Sequence, residues 1–218
     1  MKKTGILFLS LFIATVAFAQ SAEKAKSLLD EVSAKMGAYE NMYIGFSQTL
    51  SNEEAGIKEG DEPPIKGEIN LKGEKYSLNY LGNHFIYDGA KLYVINHDEK
   101  EISISDSDLS DDDGFIYPSK LLTFYKEGYT LEMGKLQNIK GKKIQFVTLN
   151  PIDSNSEIIM VELGIDVKTK HIYKLIQTGI NASKTMFTIT EFKKNEDLSE
   201  NFFSLNKTKY LSDNYTID

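Results

Sequence analysis

The chain has 218 residues, no cysteine, and 25 basic against 32 acidic residues, a formal net charge of −7. Without cysteine there is no disulfide, no thiolate metal site and no Cys nucleophile. Every basic residue is lysine, so the planar fork that reads phosphate and guanine is missing, and an acidic chain of this kind is expected to bind no nucleic acid.

Lys2 and Lys3 precede an apolar run, Ile6 to Phe18, which closes in Ala17-Phe18-Ala19. That order is an export signal, with cleavage expected after Ala19. The run is shorter than the roughly 20 apolar residues of a spanning helix. Residues 1–19 are therefore read as a signal peptide, and 20–218 as one domain exported to the periplasm. With no cysteine to carry a lipid, the domain is expected to be soluble and monomeric.

Ser21 suits an N-cap. Ala25, Leu28, Leu29, Val32 and Met36 follow at helical spacing, with charged residues opposite and Gly37 as the stop. Tyr43–Leu50 reads as a first strand, and residues 51–64, polar and closed by Pro63-Pro64, as a loop. From Ile65 to Ser105 apolar and polar residues alternate, broken at Gly73-Glu74, Gly82-Asn83, Asp88-Gly89 and Asp98-Glu99. Period-two alternation with short breaks predicts an antiparallel meander, greasy on one face.

Ser105–Gly114 is strongly acidic, but neither the Gly nor the Glu of a calcium loop falls in place, so it is read as a solvated loop. Pro118–Tyr125 is predicted to be a short helix closed by Gly128. Because it interrupts an otherwise all-β chain, it must cross the sheet. Strands are predicted at Tyr129–Met133, Lys143–Leu149, Glu157–Leu163, His171–Thr178 and Thr185–Phe192, with turns at Gly134-Lys135, Asn150–Asn155, Asp166–Lys170 and Asn181–Ser183. Phe202–Leu205 is a packing segment, and the tail beyond Lys207 is expected to fray. The total of about ten or eleven strands predicts a curled sheet.

His84, His97 and His171 show no metal or catalytic spacing, and no nucleophile elbow, dinucleotide fingerprint or P-loop occurs. No cofactor and no enzymatic activity are expected.

Several segments, in order, resemble the periplasmic outer-membrane lipoprotein carriers, the LolA family. Phe46-Ser47-Gln48-Thr49 is similar to that family's F-x-Q segment, and Gly67-Glu68-Ile69-Asn70-Leu71 to its G-x-x-x-L strand. Lys75–Tyr80 resembles K-F-R-W-x-Y, Asp88–Ile95 resembles D-G-x-x-L-W-x-Y, and Glu101–Ile104 stands where the family has Q-V-T-V. Pro118–Leu122 is similar to P-x-x-L-L. The resemblance implies a mainly β, curved antiparallel half-barrel with helices across its open side. It also implies an apolar cavity for the acyl chains of lipoproteins or lipids, an inner-membrane transporter as donor and an outer-membrane acceptor. The family's Arg and Trp are Ser77 and Leu78 here; that Arg is associated with holding the lid shut.

On this reading the floor is Ile69, Leu71, Tyr76, Leu78, Tyr80, Ile102 and Ile104, and the lid is Leu28, Leu29, Val32, Leu121, Leu122 and Tyr125. The residues by themselves fit a closed core as well as a cavity; the resemblance points to the cavity. A paralogue carrying another lipid, or an envelope sensor or scaffold binding a protein partner, is the alternative.

Overall fold

The computed structural model describes residues 4–106 and 118–218, with side chains from residue 20 onward apart from Ser119. Strands β1 (Met42–Ser51), β2 (Ile65–Lys72), β3 (Lys75–Tyr80), β4 (Asn83–Tyr87), β5 (Leu92–Asn96) and β6 (Glu101–Ser105) form the expected meander. β7 (Tyr129–Ile139), β8 (Lys142–Pro151), β9 (Ile158–Asp166), β10 (Ile172–Gly179) and β11 (Lys184–Lys194) form a second one. β11 pairs with β1 and joins the two meanders into one sheet, order β12-β6-β5-β4-β3-β2-β1-β11-β10-β9-β8-β7. The sheet is open, curved and mainly antiparallel.

The described residues contain twelve strands, one more than the upper expectation, because the tail does not fray. Residues Lys207–Ser212 form helix α2, and β12 (Thr216–Ile217) adds in parallel to the edge of β6. The turn expected at Gly134-Lys135 is a bulge within β7 between Met133 and Leu136; the chain reverses at Lys140 and Gly141, both at positive φ. A Cβ on Gly134 would stand 3.0 Å from the Phe146 carbonyl oxygen, so glycine marks a close approach here rather than a reversal.

Helix α1 spans Thr4–Gly37 without a break, so Ser21 is not its start. Instead Ser21 Oγ accepts the Met133 N–H at 3.0 Å, tying the helix to β7. Ala25, Leu29, Val32 and Met36 are buried, as their spacing requires of one stripe facing the sheet. They share a core with Ile44, Ile69, Leu71, Leu163 and Leu175 from both meanders.

β6 lies at one end of the strand order beside β12, and β7 at the other. The chain between them must pass from edge to edge. That passage lays Pro118–Lys126 against the concave face, although not as the helix expected. It forms two single-turn 3₁₀ segments, Pro118–Lys120 and Phe124–Lys126. Of the acidic stretch, Asp106 pairs with Lys91 at 2.9 Å, while residues 107–114 lie outside the described residues.

Candidate ligand cavity

Neighbouring strands share side-chain parity, so the register fixes what faces the concavity. Ile44 and Phe46 of β1 stand opposite Ile69 and Gly67 of β2 and Phe192 and Ile189 of β11. Leu78 and Tyr80 continue the surface on β3, and Ile172, Leu175 and Gln177 on β10. Met36, Pro118 and Leu121 close it from above. The space enclosed is about 120 Å³, with Gln177 the main polar group on its wall.

Phe46 dominates the floor. Its ring meets Tyr80 at 5.6 Å and Phe187 at 5.8 Å between centroids. The tip of its ring reaches over Gly67, where a Cβ would come within 2.7 Å of Phe46 Cε2. Gly67 is thus the bare backbone on which the ring rests. Tyr80 donates its hydroxyl to Gln48 Oε1, and burial raises its pKa.

One end of the cavity is plugged. Phe192 lies against the His171 ring at 4.2 Å, and the Tyr39 hydroxyl hydrogen-bonds His171 Nε2 at 2.9 Å. Burial, then the nearby Lys35 and Lys194 charges, lower the His171 pKa, so the ring is held neutral and can accept. At the other end the concave-facing Leu50 and Ile65 are 50% and 36% exposed, leaving the floor uncovered.

A second hollow, about 200 Å³, lies between Leu71, Met42, Leu122 and Ser33. Pro118 borders both hollows, and Leu121 and Leu122 with Tyr125 border a slit beneath Leu29 and Val32. The partitions are therefore side chains of the 118–126 segment. Its polar fastening to α1 is the Tyr125 hydroxyl, which donates to Asp30 Oδ1 at 2.8 Å. Burial and that carboxylate push the Tyr125 pKa up to about 12, while hydrogen bonds from Lys26 and Tyr125 lower that of Asp30.

Of the residues expected in the floor, Ile69, Leu78 and Tyr80 line the main cavity and Leu71 the second hollow, while Tyr76 is buried beneath Tyr87. Of those expected in the lid, Leu121 lines the main cavity and Leu122 the second hollow; Leu29, Val32 and Tyr125 line the slit, and Leu28 packs beside them. Ile102 and Ile104 do not belong to the floor. Pairing with Ile95 and Tyr93 turns them to the convex face, where Leu205, Tyr210, Tyr215 and Ile217 cover them. Ser77 also faces that side, hydrogen-bonded to His84 at 2.8 Å, so the position where the family carries its arginine cannot reach the roof.

Sequence reasoning missed Met36, Ile44, Phe46, Ile172, Leu175, Phe187, Ile189 and Phe192 as wall residues. The alternation Phe187-Thr188-Ile189-Thr190 was a readable signal; the pairing of β11 with β1 was not. Among the described residues no group of three His, Asp or Glu side chains could hold a metal ion, and no helix is long and apolar enough to cross a membrane.

No family model and no curated protein matches the sequence. Among solved structures, the chain is similar to an uncharacterized conserved protein from Thermus thermophilus, with 9% identity over 86% of this chain and 96% of that one, TM-score 0.58. It is also similar to a putative outer membrane lipoprotein-sorting protein domain from Vibrio parahaemolyticus, with 14% identity over 87% and 99%, TM-score 0.47. A LolA superfamily protein from Nitrosomonas europaea aligns at 11% identity over 84% and 98%, TM-score 0.42. An open antiparallel trough crossed by one long helix and an edge-to-edge strap is the architecture that the sequence motifs implied. The fold is the one shared with the Thermus thermophilus protein. At these identities the likeness is one of fold alone. In this fold, the space between trough and roof is the candidate site because it joins an apolar wall to a roof with few polar ties among the described residues.

Proposed function

We propose that the chain is an exported carrier that shelters acyl chains of lipoproteins or lipids between the concave sheet and its roof. The observation that carries this reading is the apolar cavity itself, walled by both meanders and roofed by Met36, Pro118 and Leu121. Moving an acyl chain through water costs about 0.8 kcal/mol per CH₂ left exposed, so a carrier needs a dry wall rather than a single polar contact. An engineered cavity of about 150 Å³ admits one benzene ring. The 120 Å³ present here is an unloaded volume, and loading displaces the 118–126 segment so that the neighbouring hollows join the cavity.

On this reading residues 1–19 are a signal peptide removed after Ala19, and the monomeric carrier works in the periplasm. It takes cargo from an inner-membrane transporter and yields it to an outer-membrane acceptor.

Native mass spectrometry of the protein purified from its own periplasm tests the proposal. A lipid or lipidated protein should ride with the wild-type chain and be lost from Leu121→Glu, which places a charge on the roof while the sheet stays folded. A wild-type chain that is bare, and that also fails to bind a fluorescent fatty acyl probe, would end the carrier reading.

A further inference from the structure

We propose that the cavity receives an acyl chain tail-first and that Gln48, Tyr80 and Gln177 select an uncharged carbonyl linkage, an ester or amide, at the head of that chain. The inference rests on the carrier reading and deepens it. The plugged end, Phe192 against His171 and Tyr39, offers the chain terminus only apolar walls at Met36 and Ile44. The uncovered end is where the concave face changes chemistry. Tyr80 on β3, Gln48 on β1 and Gln177 on β10 place polar groups on the floor towards this end, where Ile65, paired with Gln48, and Leu50, level with Gln177 through Thr185, are exposed.

These groups are polar but carry no charge. The concave-facing positions around them, Leu50, Ile65, Gly67, Thr185 and Phe187, add no lysine and no carboxylate. Lys66 and Glu68 alternate with these positions, on the convex side. Glu59 of the 51–64 loop is likewise on the convex side, held by Thr49 and Lys174. A carboxylate or phosphate seated among them would lose water and gain no counter-charge. A carbonyl needs one donor only. Tyr80 occupies the Gln48 amide oxygen, which leaves the Gln48 NH₂ to serve as that donor. Gln177, 6% exposed and two strands away on β10, adds a second uncharged group to the same wall. The geometry thus sets both the direction of the chain and the charge of its linkage.

Displacement of a fluorescent acyl probe from the full chain tests this with ligands of one chain length: monopalmitoylglycerol (ester), palmitate (anion) and hexadecyltrimethylammonium (cation). The ester should bind about tenfold more tightly than either ion, as expected for one polar contact that the ions leave unmatched. Gln48→Leu with Gln177→Leu should abolish the preference while probe affinity persists. Tyr80→Phe, which keeps the ring, should weaken the preference by freeing the Gln48 amide. Equal binding of all three ligands by the wild-type chain, or a preference that survives in every variant, would overturn the linkage proposal and leave the carrier reading standing. A chain that binds no probe at all would remove both. A diacylglyceryl-cysteine peptide compared with diacylglycerol then separates the sources of the ester. Displacement by either supports the proposal and names the cargo; displacement by neither overturns it.

Discussion

Replacing Tyr125 by Phe removes the fastening of the roof and little else. The ring stays, still edge-on to Phe124 at 6.5 Å, but the 2.8 Å hydrogen bond to Asp30 is gone. A hydrogen bond to a charged group contributes about 1.5–3 kcal/mol. Asp30 is 44% exposed and already bonded to Lys26 at 2.7 Å, so water and lysine replace much of what the tyrosine gave. The figure is accordingly discounted to about 1 kcal/mol, roughly a fivefold change in an opening equilibrium. Amide hydrogen exchange reads this directly. Thr123 N–H, bonded to the Lys120 carbonyl at 2.8 Å, and Lys126 N–H, bonded to the Thr123 carbonyl at 3.0 Å, should exchange about fivefold faster in Tyr125→Phe. Amides of β9 and β10 should be unchanged, and an acyl probe should load faster. Roof amides that exchange as in the wild type, or acceleration spread evenly over the sheet, would refute the latch. The latch has a wide pH window. Asp30 titrates lower in the fold than its ordinary 3.8, so its contribution is present above that value and lost as pH falls through the folded value. Tyr125 is raised from 10.0 to about 12, so its contribution is full below 10 and lost as pH rises toward 12.

Gly67→Ala should lower stability by about 1–3 kcal/mol in urea denaturation, since its Cβ would strike the Phe46 ring, and Phe46→Leu in the same chain should restore most of that. No recovery in the double variant would show that the ring is not the obstacle. Acid should destabilise the plugged end. His171 has a lowered pKa, so its contribution is present above 6.5 and lost as pH falls through the folded value. The drop in Tm between about pH 7.5 and about pH 5 should therefore shrink in His171→Gln, part of it remaining from His84, which is shifted the same way; identical slopes would clear His171. Ending the chain after Ser204 should bare Ile95 and Ile102, both fully buried now, together with the β6 edge. Light scattering should then show concentration-dependent association, and a stable monomer would contradict the role given to the tail.

The meander from Ile65 to Ser105 was legible almost to the residue, because alternation and glycine or asparagine turns are local signals. The stripe on α1 was legible for the same reason. Gly134 misled: a glycine in a strand pattern marks a turn or a bulge with equal force, and only the neighbouring Phe146 backbone decides between them. Ile102 and Ile104 misled in a more general way. Parity says which side chains share a face but not which face is concave, and β5 is apolar on both.

What the amino-acid order determined was the set of elements and their two-sidedness, since both follow from interactions within about ten residues of chain. It also determined that the link from the first meander to the second holds a proline-initiated apolar segment suited to a roof. What the tertiary structure decided was the pairing of β11 with β1, from which the floor is built, and the tail over the convex face, which claims Ile102 and Ile104. Those contacts join residues more than a hundred positions apart. Their free energy comes from burying faces that any greasy partner could cover, so no local pattern encodes which partner does so.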